Sequence, residues 1–469
     1  MALRKLEIEG LRGFASKQMI SFSTPTGEKG SGLTVVVGAN NAGKSTVIEA
    51  LRALAQSQIP SFSIGRRNRK AGDEVYLHLE DTAGRISELK SLLPGASEAE
   101  RSDTDPSIDR GTILVLPSRR TFNPFFSKSE SNRSDYMNQI GFPAIRSSSV
   151  DTFSYRLFRA QKHRDQFNKV LANVLNPVPI WSIDQQEGGN YFMKIVAGDD
   201  SHSSEGLGEG LVSLFFIVDA LYDSNPGDTI VIDEPELSLH PAFQRRLSNL
   251  ITTYAADRQI ILATHSPYFV NLSALENGAT ICRAHLKNGQ SHLSQLAAAT
   301  GKAVAGLLAD VNNPHVLGLN AQEVFFLEDA VILVEGQEDV IFYERVQGDL
   351  KLPLAGTFFG WGVGGADKMK HIARILSDLG FEKVVGILDA NKANLIKDLK
   401  TDFQNYVFLA IPADDVRTKS AAPAKLSVAG LLDDKNEHVR PEHEAATRQS
   451  FEEINNFLTP PPVAVPAAP

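Results

Sequence analysis

A glycine-rich segment near the N-terminus has the residue types and the spacing that phosphate binding requires. The apolar run LTVVV (33–37) predicts a buried strand, GANNAGKST (38–46) follows it directly, and apolar residues then recur at helical spacing. The pattern Gly-x-x-x-x-Gly-Lys-Ser between a strand and a helix is typical of a loop whose backbone N–H groups bind phosphate. The segment therefore predicts a nucleotide-binding loop, called the phosphate loop (38–46) below.

The polar residues of the phosphate loop have predicted parts in binding ATP with Mg²⁺. The predicted nucleotide-binding residues are Gly38, Asn40, Asn41, Gly43, Lys44, Ser45 and Thr46. Glycine at positions 38 and 43 lets the backbone turn its N–H groups towards the phosphates. Lys44 is expected to reach the β- and γ-phosphates as a catalytic cation, and the Ser45 hydroxyl is expected to coordinate Mg²⁺.

Two further apolar strands are predicted to end in side chains suited to hydrolysis. TIVID (229–233) ends in Asp233, and Glu234 follows; ILATH (261–265) ends in His265. Asp233 is predicted to hold the Mg²⁺ shell, and Glu234 is predicted to polarise the attacking water as general base. The His265 imidazole is predicted to bind the γ-phosphate by a hydrogen bond. Glu234, His265 and Lys44 form the predicted catalytic set.

The segment SEGLGEG (204–210) precedes the apolar helix pattern LVSLFFIVDALY and resembles the signature Ser-x-Gly-x-x-x of ABC ATPases. Ser204 and Gly206 are expected to bind a γ-phosphate at a helix N-terminus. In ABC ATPases this loop closes over the nucleotide of a second protomer. The resemblance therefore implies a homo-oligomer, at least a dimer formed through an ATP sandwich.

GANNAGKST, IDEPELSLHP and THSPYF together resemble the SMC/RecF-like branch of ABC ATPases, most closely the OLD family of ATP-dependent nucleases. The resemblance implies an α/β ABC-type ATPase domain over residues 1–284, with a helical insertion at about 120–200. Gln56 and Gln58 are alternatives for the Q-loop glutamine. Arg119 or Arg120 points at nucleotide or forms a surface salt bridge; the sequence leaves both readings open.

A second α/β pattern follows a predicted helical connector (285–329) and occupies residues 330–458. Acidic residues end its predicted parallel strands, where open α/β sheets place their sites: Glu335, Asp389, Asp414 and Asp415. Asp339 comes one helical turn after Glu335 and is expected to face the same edge. Clustered carboxylates predict a divalent cation, Mg²⁺ or Mn²⁺.

LVEG and ILDAN resemble the Toprim domain, which follows the ABC ATPase in OLD-family proteins. By that resemblance Glu335, Asp339 and Asp389 are metal ligands for phosphodiester hydrolysis. Asn391 stands where the family pattern has a second aspartate; its amide oxygen ligates metal but brings no charge. Lys392 is a candidate for the lysine that stabilises the scissile phosphate.

Two functions are compatible with these patterns. The favoured one is a nucleotide-gated nuclease that cleaves nucleic acid with Mg²⁺ or Mn²⁺, and the OLD resemblance implies bacterial defence against phage. The alternative is an ATP-dependent sensor or scaffold with a degenerate Toprim domain, which controls a separate effector protein. Asn391 is the feature that separates the two.

Composition limits partners and location. The formal net charge is −9, and the basic clusters 66–70 and 156–164 are read as a solvated loop and a solvated helix face rather than a nucleic-acid surface. One cysteine, Cys282, excludes an intramolecular disulfide and a Cys-based zinc cluster. No apolar run of ~20 residues and no signal-peptide h-region occur, which predicts no membrane partner and a cytoplasmic location. The Pro/Ala tail 459–469 is predicted to be disordered.

Overall fold

The structure, a computed structural model, describes residues 2–105, 112–120, 127–130, 132–133, 153–175, 177–197, 200–203, 208–308, 329–360, 362–420 and 427–459. The chain forms two units, Met1–Gly301 and Lys302–Pro469. The first contains the phosphate loop, and the second contains the acidic strand ends. The two units are described separately below.

The first unit contains strands β1 (Leu3–Glu9), β2 (Gln18–Ser21), β3 (Leu33–Val37), β4 (Tyr76–Asp81), β5 (Ile86–Ser91), β6 (Ala99–Asp103), β7 (Ile113–Leu116), β8 (Ile180–Gln185), β9 (Tyr191–Ala197), β10 (Asp200–Ser203), β11 (Thr229–Asp233), β12 (Gln259–Ala263), β13 (Thr280–Lys287) and β14 (Gln290–Gln295). Its helices are α1 (Lys44–Ala55), α2 (Phe153–Lys162), α3 (Arg164–Leu171), α4 (Glu209–Tyr222) and α5 (Pro241–Tyr254); α6 (Ala298–Leu308) begins at its end.

The central sheet of the first unit has the order β14-β13-β3-β12-β11-β7. All its neighbouring strands are parallel except the edge pair β13–β14. Strands β3, β11 and β12 are buried along their whole length, as parallel strands covered on both faces must be. Because Ala263 lies opposite both Asp233 and Val36, the carboxyl ends of these three strands meet at one edge.

A second sheet, with the order β2-β1-β4-β5-β6, is antiparallel. Buried residues alternate along β4 and β5, the pattern of a sheet with one covered face. Helix α1 contacts both sheets, and its apolar residues share one hydrophobic core with strands of each. This packing fixes the helix that begins at Lys44.

The predicted helical insertion at about 120–200 is only partly helical. Helices α2 and α3 are followed by the antiparallel sheet β10-β9-β8, whose β8 and β9 were not predicted as strands. Alternation in WSID and YFMKIV favours this pairing, with buried Trp181 and Met193 on the covered face. Trp181 packs edge-on against Phe215 of α4, which ties the insertion to the central helix.

The second unit contains strands β15 (Val331–Leu333), β16 (Thr357–Phe358), β17 (Val384–Leu388) and β18 (Val407–Ala410). Its further helices are α7 (Gln337–Leu350), α8 (Ala366–Asp378), α9 (Leu395–Asp402) and α10 (Pro441–Leu458). The strands form a parallel sheet in the order β16-β15-β17-β18, as the α/β pattern predicts. Apolar residues of α7 and α10 pack with β15 and β17 in one core.

The predicted helical connector 285–329 is wrong at its start. Residues 285–295 complete the β13–β14 hairpin at the edge of the central sheet, and Asn288-Gly289 forms its turn with both residues at positive φ. A helix does follow as α6, and residues 309–328 lie outside the described residues. The same holds for residues 460–469 of the predicted disordered tail. In the part of the chain that the structure describes, no helix combines the length and the apolar composition of a membrane span.

Candidate functional site

The backbone of the phosphate loop has the curvature that its glycines predict. Gly38, Asn41 and Gly43 all have positive φ, at 139°, 61° and 115°. A β-carbon at Gly38 would lie 2.0 Å from the carbonyl oxygen of Ala284 in β13. Glycine at position 38 is therefore required by both the backbone conformation and the neighbouring strand. Asn40 and Asn41 are exposed at the tip of the loop, and Thr46 is buried in the first turn of α1.

The Lys44 side chain folds back across the phosphate loop. Its Nζ donates hydrogen bonds to the carbonyl oxygens of Gly38 at 2.8 Å and Ala39 at 2.9 Å. Burial lowers the pKa of Lys44 to about 8, while the carboxylates of Glu234 and Asp233 oppose the fall. The amine thus lies inside the concave loop, beside the ends of the strands that carry the acidic residues.

Residues from the three strand ends meet at the phosphate loop. The Ser45 Oγ lies 3.5 Å from Asp233 Oδ1, and His265 Nε2 lies 3.9 Å from Glu234 Oε1. Burial and the charge of Lys44 lower the pKa of His265, so its imidazole is neutral at pH 7. The predicted residues Lys44, Ser45, Asp233, Glu234 and His265 therefore form one cluster in the first unit.

Glu234 has a strained backbone. Its φ is 48°, in the left-handed region that costs a residue with a side chain ~1–3 kcal/mol. Its amide donates a 2.7 Å hydrogen bond to the carbonyl oxygen of Ala263, at the end of the neighbouring strand β12. A strained residue persists only where surrounding contacts hold it, and such residues are concentrated at functional sites.

Glu236 is a contributor that sequence reasoning missed. One carboxylate oxygen accepts a hydrogen bond from the backbone N–H of His265 at 2.5 Å, and the other accepts one from the Thr264 hydroxyl at 2.7 Å. Burial raises the pKa of this carboxyl group. Glu236 fixes the turn that presents His265. The only sequence signal was its place after the Asp-Glu pair.

Arg120 fits neither of the two alternatives that the sequence left open for it. Its side chain is 3% exposed and donates hydrogen bonds to backbone carbonyl oxygens, including those of Asp233 and Glu234 at 2.7 Å each. It therefore makes neither a surface salt bridge nor a contact directed at the phosphate loop. Arg119 is exposed. Gln56 follows the last residue of α1. At 1.5 Å per residue it lies ~18 Å along the helix axis from Lys44, where the helix begins, and Gln58 lies beyond it. Neither glutamine is placed to contact a phosphate there.

The predicted signature residues Ser204 and Gly206 lie outside the described residues. The helix that follows them begins at Glu209, whose carboxylate accepts a 3.0 Å hydrogen bond from the Ser238 hydroxyl. A β-carbon at Gly210 would lie 2.2 Å from the carbonyl oxygen of Ser238. The start of α4 is thus packed against the segment that follows Glu234.

Acidic side chains meet at the carboxyl ends of β15 and β17 in the second unit. Glu335 Oε1 accepts a 3.1 Å hydrogen bond from the backbone N–H of Asp389. Burial, then the charges of Glu335 and Asp339, raises the pKa of Asp389 to about 8. Burial also raises the pKa of Asp339 to about 6, and the charges of Glu335 and Asp415 add to this rise. These four carboxyl groups therefore share one partly dehydrated region, the acidic cluster (Glu335, Asp339, Asp389 and Asp415).

The acidic cluster is not arranged as a ready metal centre. Within the described ranges, no three His, Cys, Asp or Glu side chains form a group that could hold a metal ion. Asp339 Oδ2 instead accepts a 2.7 Å hydrogen bond from Gly336 N–H as a helix cap, and Asn391 Nδ2 donates to the Asp414 carbonyl oxygen at 2.9 Å. Local backbone hydrogen bonds thus hold two of the four predicted ligands, Asp339 and Asn391.

The cation beside the acidic cluster is Lys419, a residue that sequence reasoning missed. Its Nζ is paired with Asp415 and lies 3.7 Å from Glu338. Arg417 also pairs with Glu338, at 2.9 Å. Lys392, which the sequence suggested, lies in the short 3-10 helix Ala390–Lys392. After β18 the chain returns to the edge of the sheet where the acidic cluster lies, and the spacing of residues in the sequence does not predict that Lys419 comes there.

Two basic residues are buried where the sequence predicted solvated surfaces. Arg66 Nε lies 3.3 Å from Glu49 of α1. Arg156 is 2% exposed and bonds to Asp219 at 3.0 Å and to Asp223 at 2.7 Å, both on or next to α4. The solvated reading is therefore wrong for these two arginines, because each has an internal carboxylate partner. Both hold the first unit together.

Comparison with known proteins finds similarity to an endonuclease and to SMC head domains. Endonuclease GajA of Bacillus cereus (strain VD045) is 23% identical over 172 residues, which cover 33% of this chain and 25% of the relative. The match thus spans a quarter of that relative's length. Among solved structures, an SmcHead bound to the C-winged helix domain of ScpA is 14% identical with a TM-score of 0.43, covering 63% of this chain and 98% of the other. The SMC head domain from Thermotoga maritima is 16% identical with a TM-score of 0.38, covering 63% and 100%.

A family model covers the region that carries the phosphate loop and its neighbouring strand ends. It is described as "AAA domain, putative AbiEii toxin, Type IV TA system" and matches residues 33–271, just over half of the chain. The match begins at the first residue of β3 and includes Asp233, Glu234 and His265. The chain belongs to this family of ABC-like ATPase domains.

Proposed function

We propose that this protein hydrolyses ATP at a site completed by a second copy of itself, and that its second unit cleaves nucleic acid in a nucleotide-dependent way. The 3.5 Å approach of Ser45 Oγ to Asp233 Oδ1 carries the first part. A hydroxyl and a carboxylate at that distance form the pair of oxygen ligands that Mg²⁺ takes beside a nucleotide. The donor set therefore fits the metal.

The residues of the first unit divide the work of hydrolysis. Phosphates would replace the Gly38 and Ala39 carbonyl oxygens as partners of Lys44, whose charge then opposes the negative charge that develops in the transition state. Glu234 would accept a proton from the attacking water. His265, neutral and 3.9 Å from Glu234, would donate a hydrogen bond to the γ-phosphate. Bound Mg²⁺ supplies charge neutralisation at the β- and γ-phosphates.

The second copy would contribute Ser204 and Gly206 to this site. The chain from Gly208 to Glu209 is exposed at the start of α4, and Leu237, in the segment packed against it, is 38% exposed. Mixing tests this arrangement. Lys44→Ala and Ser204→Arg chains should each lack ATPase activity, and the mixture should recover part of it, because one interface of the heterodimer is intact. No recovery from two folded proteins would contradict the shared site.

The second unit is proposed to be a Toprim-like nuclease domain that uses Mg²⁺ or Mn²⁺. The acidic cluster supports this, because burial and the charges of neighbouring carboxylates raise the pKa of Asp339 and of Asp389 at the carboxyl ends of parallel strands. Glu335 and Asp389 would hold the metal, with Asp339 and Asn391 joining after release from their backbone partners. The metal would supply charge neutralisation at a phosphodiester, and Lys419 would balance the cluster. The match to endonuclease GajA supports cleavage of nucleic acid, and the OLD-family motifs imply a role in bacterial defence against phage.

A second function is favoured by two observations on the same unit. Asn391 is bound to the Asp414 carbonyl oxygen, and in the region that the structure describes no three metal-ligating side chains form a group. Both fit an ATP-dependent sensor whose second unit controls a separate effector protein and cuts nothing. This alternative keeps the ATPase part of the proposal unchanged.

A cleavage assay decides between the two functions. Single- and double-stranded DNA and RNA are incubated with the full chain and Mn²⁺, with and without ATP. The nuclease proposal expects cleavage by the wild type and none by Asp389→Ala, with equal ATPase rates. Asp378→Ala is the matched control, because Asp378 ends α8 ahead of the amino end of β17, whereas Asp389 follows the carboxyl end of that strand. Absence of cleavage from an active ATPase supports the sensor.

A further inference from the structure

Arg120 lies where the chain leaves strand β7, beside the end of β11. The two strands are parallel neighbours, with Leu116 opposite Ile232, so the residues after each strand emerge at the same edge of the sheet. The Arg120 side chain is 3% exposed, whereas the adjacent Arg119 is exposed. The sequence pattern does not distinguish the two arginines, but the structure places them in opposite environments.

The Arg120 guanidinium donates four hydrogen bonds. Nη1 donates to the carbonyl oxygens of Pro117 at 2.8 Å and Asp233 at 2.7 Å. Nη2 donates to the carbonyl oxygen of Glu234 at 2.7 Å, and Nε donates to the Ser213 hydroxyl at 2.8 Å. All four acceptors are uncharged. The fixed fork of the guanidinium therefore sets the spacing between two consecutive carbonyl oxygens, which a point charge would not do.

Burial lowers the pKa of Arg120 to about 10, and the nearby carboxylates of Asp233, Glu236 and Glu234 oppose the fall. The group thus remains a cation at neutral pH. The Glu234 carbonyl that it holds belongs to a residue at φ 48°, which needs outside contacts to stay in that conformation. Arg120 holds the carbonyl side of Glu234, and the Ala263 carbonyl oxygen accepts from its amide side.

Ser213 connects this arrangement to helix α4. It lies in the second turn of the helix that follows residues 204–207, the segment proposed to bind the second copy's nucleotide. The first turn of the same helix contacts Ser238, four residues after Glu234. A movement of α4 therefore acts on the Glu234 segment at two points, through Ser213 and Arg120 on one side and through Ser238 on the other.

We propose that Arg120 is a positioning residue that holds the Glu234 backbone in its strained conformation and makes that conformation depend on the placement of α4. This inference rests on the proposed ATP hydrolysis by Glu234. A shift of α4 would reach the Glu234 backbone through the Ser213–Arg120 hydrogen bond. Arg120 itself contacts neither nucleotide nor water in this role.

Three variants of the full chain test the role. Arg120→Lys keeps the charge but loses the fork, Ser213→Ala removes the link to α4 and leaves the guanidinium, and Arg119→Lys is the matched control. Steady-state ATPase gives kcat and KM, a fluorescent ATP analogue gives affinity, and circular dichroism gives the melting temperature.

Arg120→Lys is expected to lower kcat ~10²-fold, as misplacement of a catalytic group does, with ATP affinity within about threefold of wild type. Ser213→Ala should lower kcat between about threefold and thirtyfold, and Arg119→Lys should leave it unchanged.

A double variant shows whether Arg120 acts through Glu234. Arg120→Lys added to Glu234→Gln should slow hydrolysis no further than Glu234→Gln alone. The inference is overturned if Arg120→Lys and Ser213→Ala keep the wild-type kcat, or if Arg120→Lys loses ATP affinity and melting temperature in step with kcat. If Arg120→Lys does not fold, Ser213→Ala alone decides. Wild type without ATPase activity, or Glu234→Gln as fast as wild type, would instead remove the proposed function and this inference with it.

Discussion

The Oγ atom of Ser45 lies 3.5 Å from the Oδ1 atom of Asp233, although 188 residues separate them along the chain. The parallel sheet explains why these two atoms are close. Strand β3 leads into the phosphate loop and β11 ends in Asp233. Strand β12 lies between these two strands, and its Ala263 is opposite both Val36 and Asp233. The insertion and the antiparallel sheet account for the intervening residues without disturbing this edge. We propose that these two oxygens share one Mg²⁺.

Asp233→Asn should weaken the binding of Mg²⁺ at the site of hydrolysis. The substitution keeps the shape and removes the charge that faces Ser45. We expect the Mg²⁺ concentration for half-maximal ATPase activity to rise about 10-fold to 100-fold. Asp257→Asn is the control, since Asp257 is exposed and paired on the surface with Arg258. An Asp233→Asn titration that overlays the wild type would exclude Asp233 from the metal site.

Gly38→Ala should weaken ATP binding. The new β-carbon would lie 2.0 Å from the Ala284 carbonyl oxygen, so the phosphate loop must move away from β13. Gly27→Ala is the matched control, because Gly27 also has positive φ, at 95°, but has no atom within 4 Å of an added β-carbon. Equilibrium binding of a fluorescent ATP analogue should weaken about tenfold or more for Gly38→Ala, ~1.4 kcal/mol or more. Equal losses in both variants would show that backbone strain, rather than the contact with β13, is the cause.

Arg156→Ala should destabilise the first unit strongly. It leaves Asp219, a buried carboxylate, without the guanidinium that bonds to it, and the expected loss is ~3–5 kcal/mol in the free energy of unfolding. Arg159→Ala is the control, since Arg159 is 44% exposed and forms an ion pair with Asp223. Its removal should lower the free energy of unfolding by less than ~1 kcal/mol. Urea unfolding followed by tryptophan fluorescence reports on this region when the other tryptophan, Trp361, is replaced by phenylalanine in every variant, because Trp181 packs against Phe215 of α4. Similar midpoints for the two variants would contradict a structural role for Arg156.

The sequence predicted the phosphate loop and its strand ends well because their signals are local. A buried strand, a glycine with positive φ and a helix start all lie within 14 residues, from Leu33 to Thr46, and each requires particular residue types. Strand ends that carry Asp233 or Asp389 are predicted for the same reason. The parallel arrangement then brings them together without further information from the sequence.

The contacts that the sequence did not predict depend on side-chain orientation between distant segments. Arg120 and Arg119 have the same chemistry and neighbouring positions, and only packing against β11 and α4 makes one buried. Arg156 looked like part of a solvated basic face until Asp219 was placed beside it. In the second unit, strand order puts the carboxyl groups at one edge, whereas local hydrogen bonds decide that Asp339 and Asn391 turn towards the backbone.

Asn391→Asp distinguishes the two proposed functions of the second unit. Asn391 Nδ2 now donates to the Asp414 carbonyl oxygen at 2.9 Å, and a carboxylate cannot make that hydrogen bond. Repulsion from the carbonyl should turn the new carboxylate away from Asp414, where it adds a charge beside Asp389 at almost unchanged volume. If the unit is a nuclease, cleavage should increase, most clearly at low Mn²⁺ concentration, where metal occupancy limits the rate.

The control is Asn394→Asp, which makes the same change of charge three residues later, at the exposed start of α9. It should leave the Mn²⁺ dependence of cleavage unchanged, because position 394 begins the helix rather than facing Asp389. Asp389→Ala should abolish cleavage in either background, since that carboxylate would anchor the metal. Equal gains from Asn391→Asp and Asn394→Asp would mean that general charge, and not a metal ligand, raises the rate. If neither the wild type nor Asn391→Asp cuts DNA or RNA with ATP and Mn²⁺ while the ATPase is active, the second unit is a sensor or scaffold, and Asn391 serves to hold the Asp414 turn.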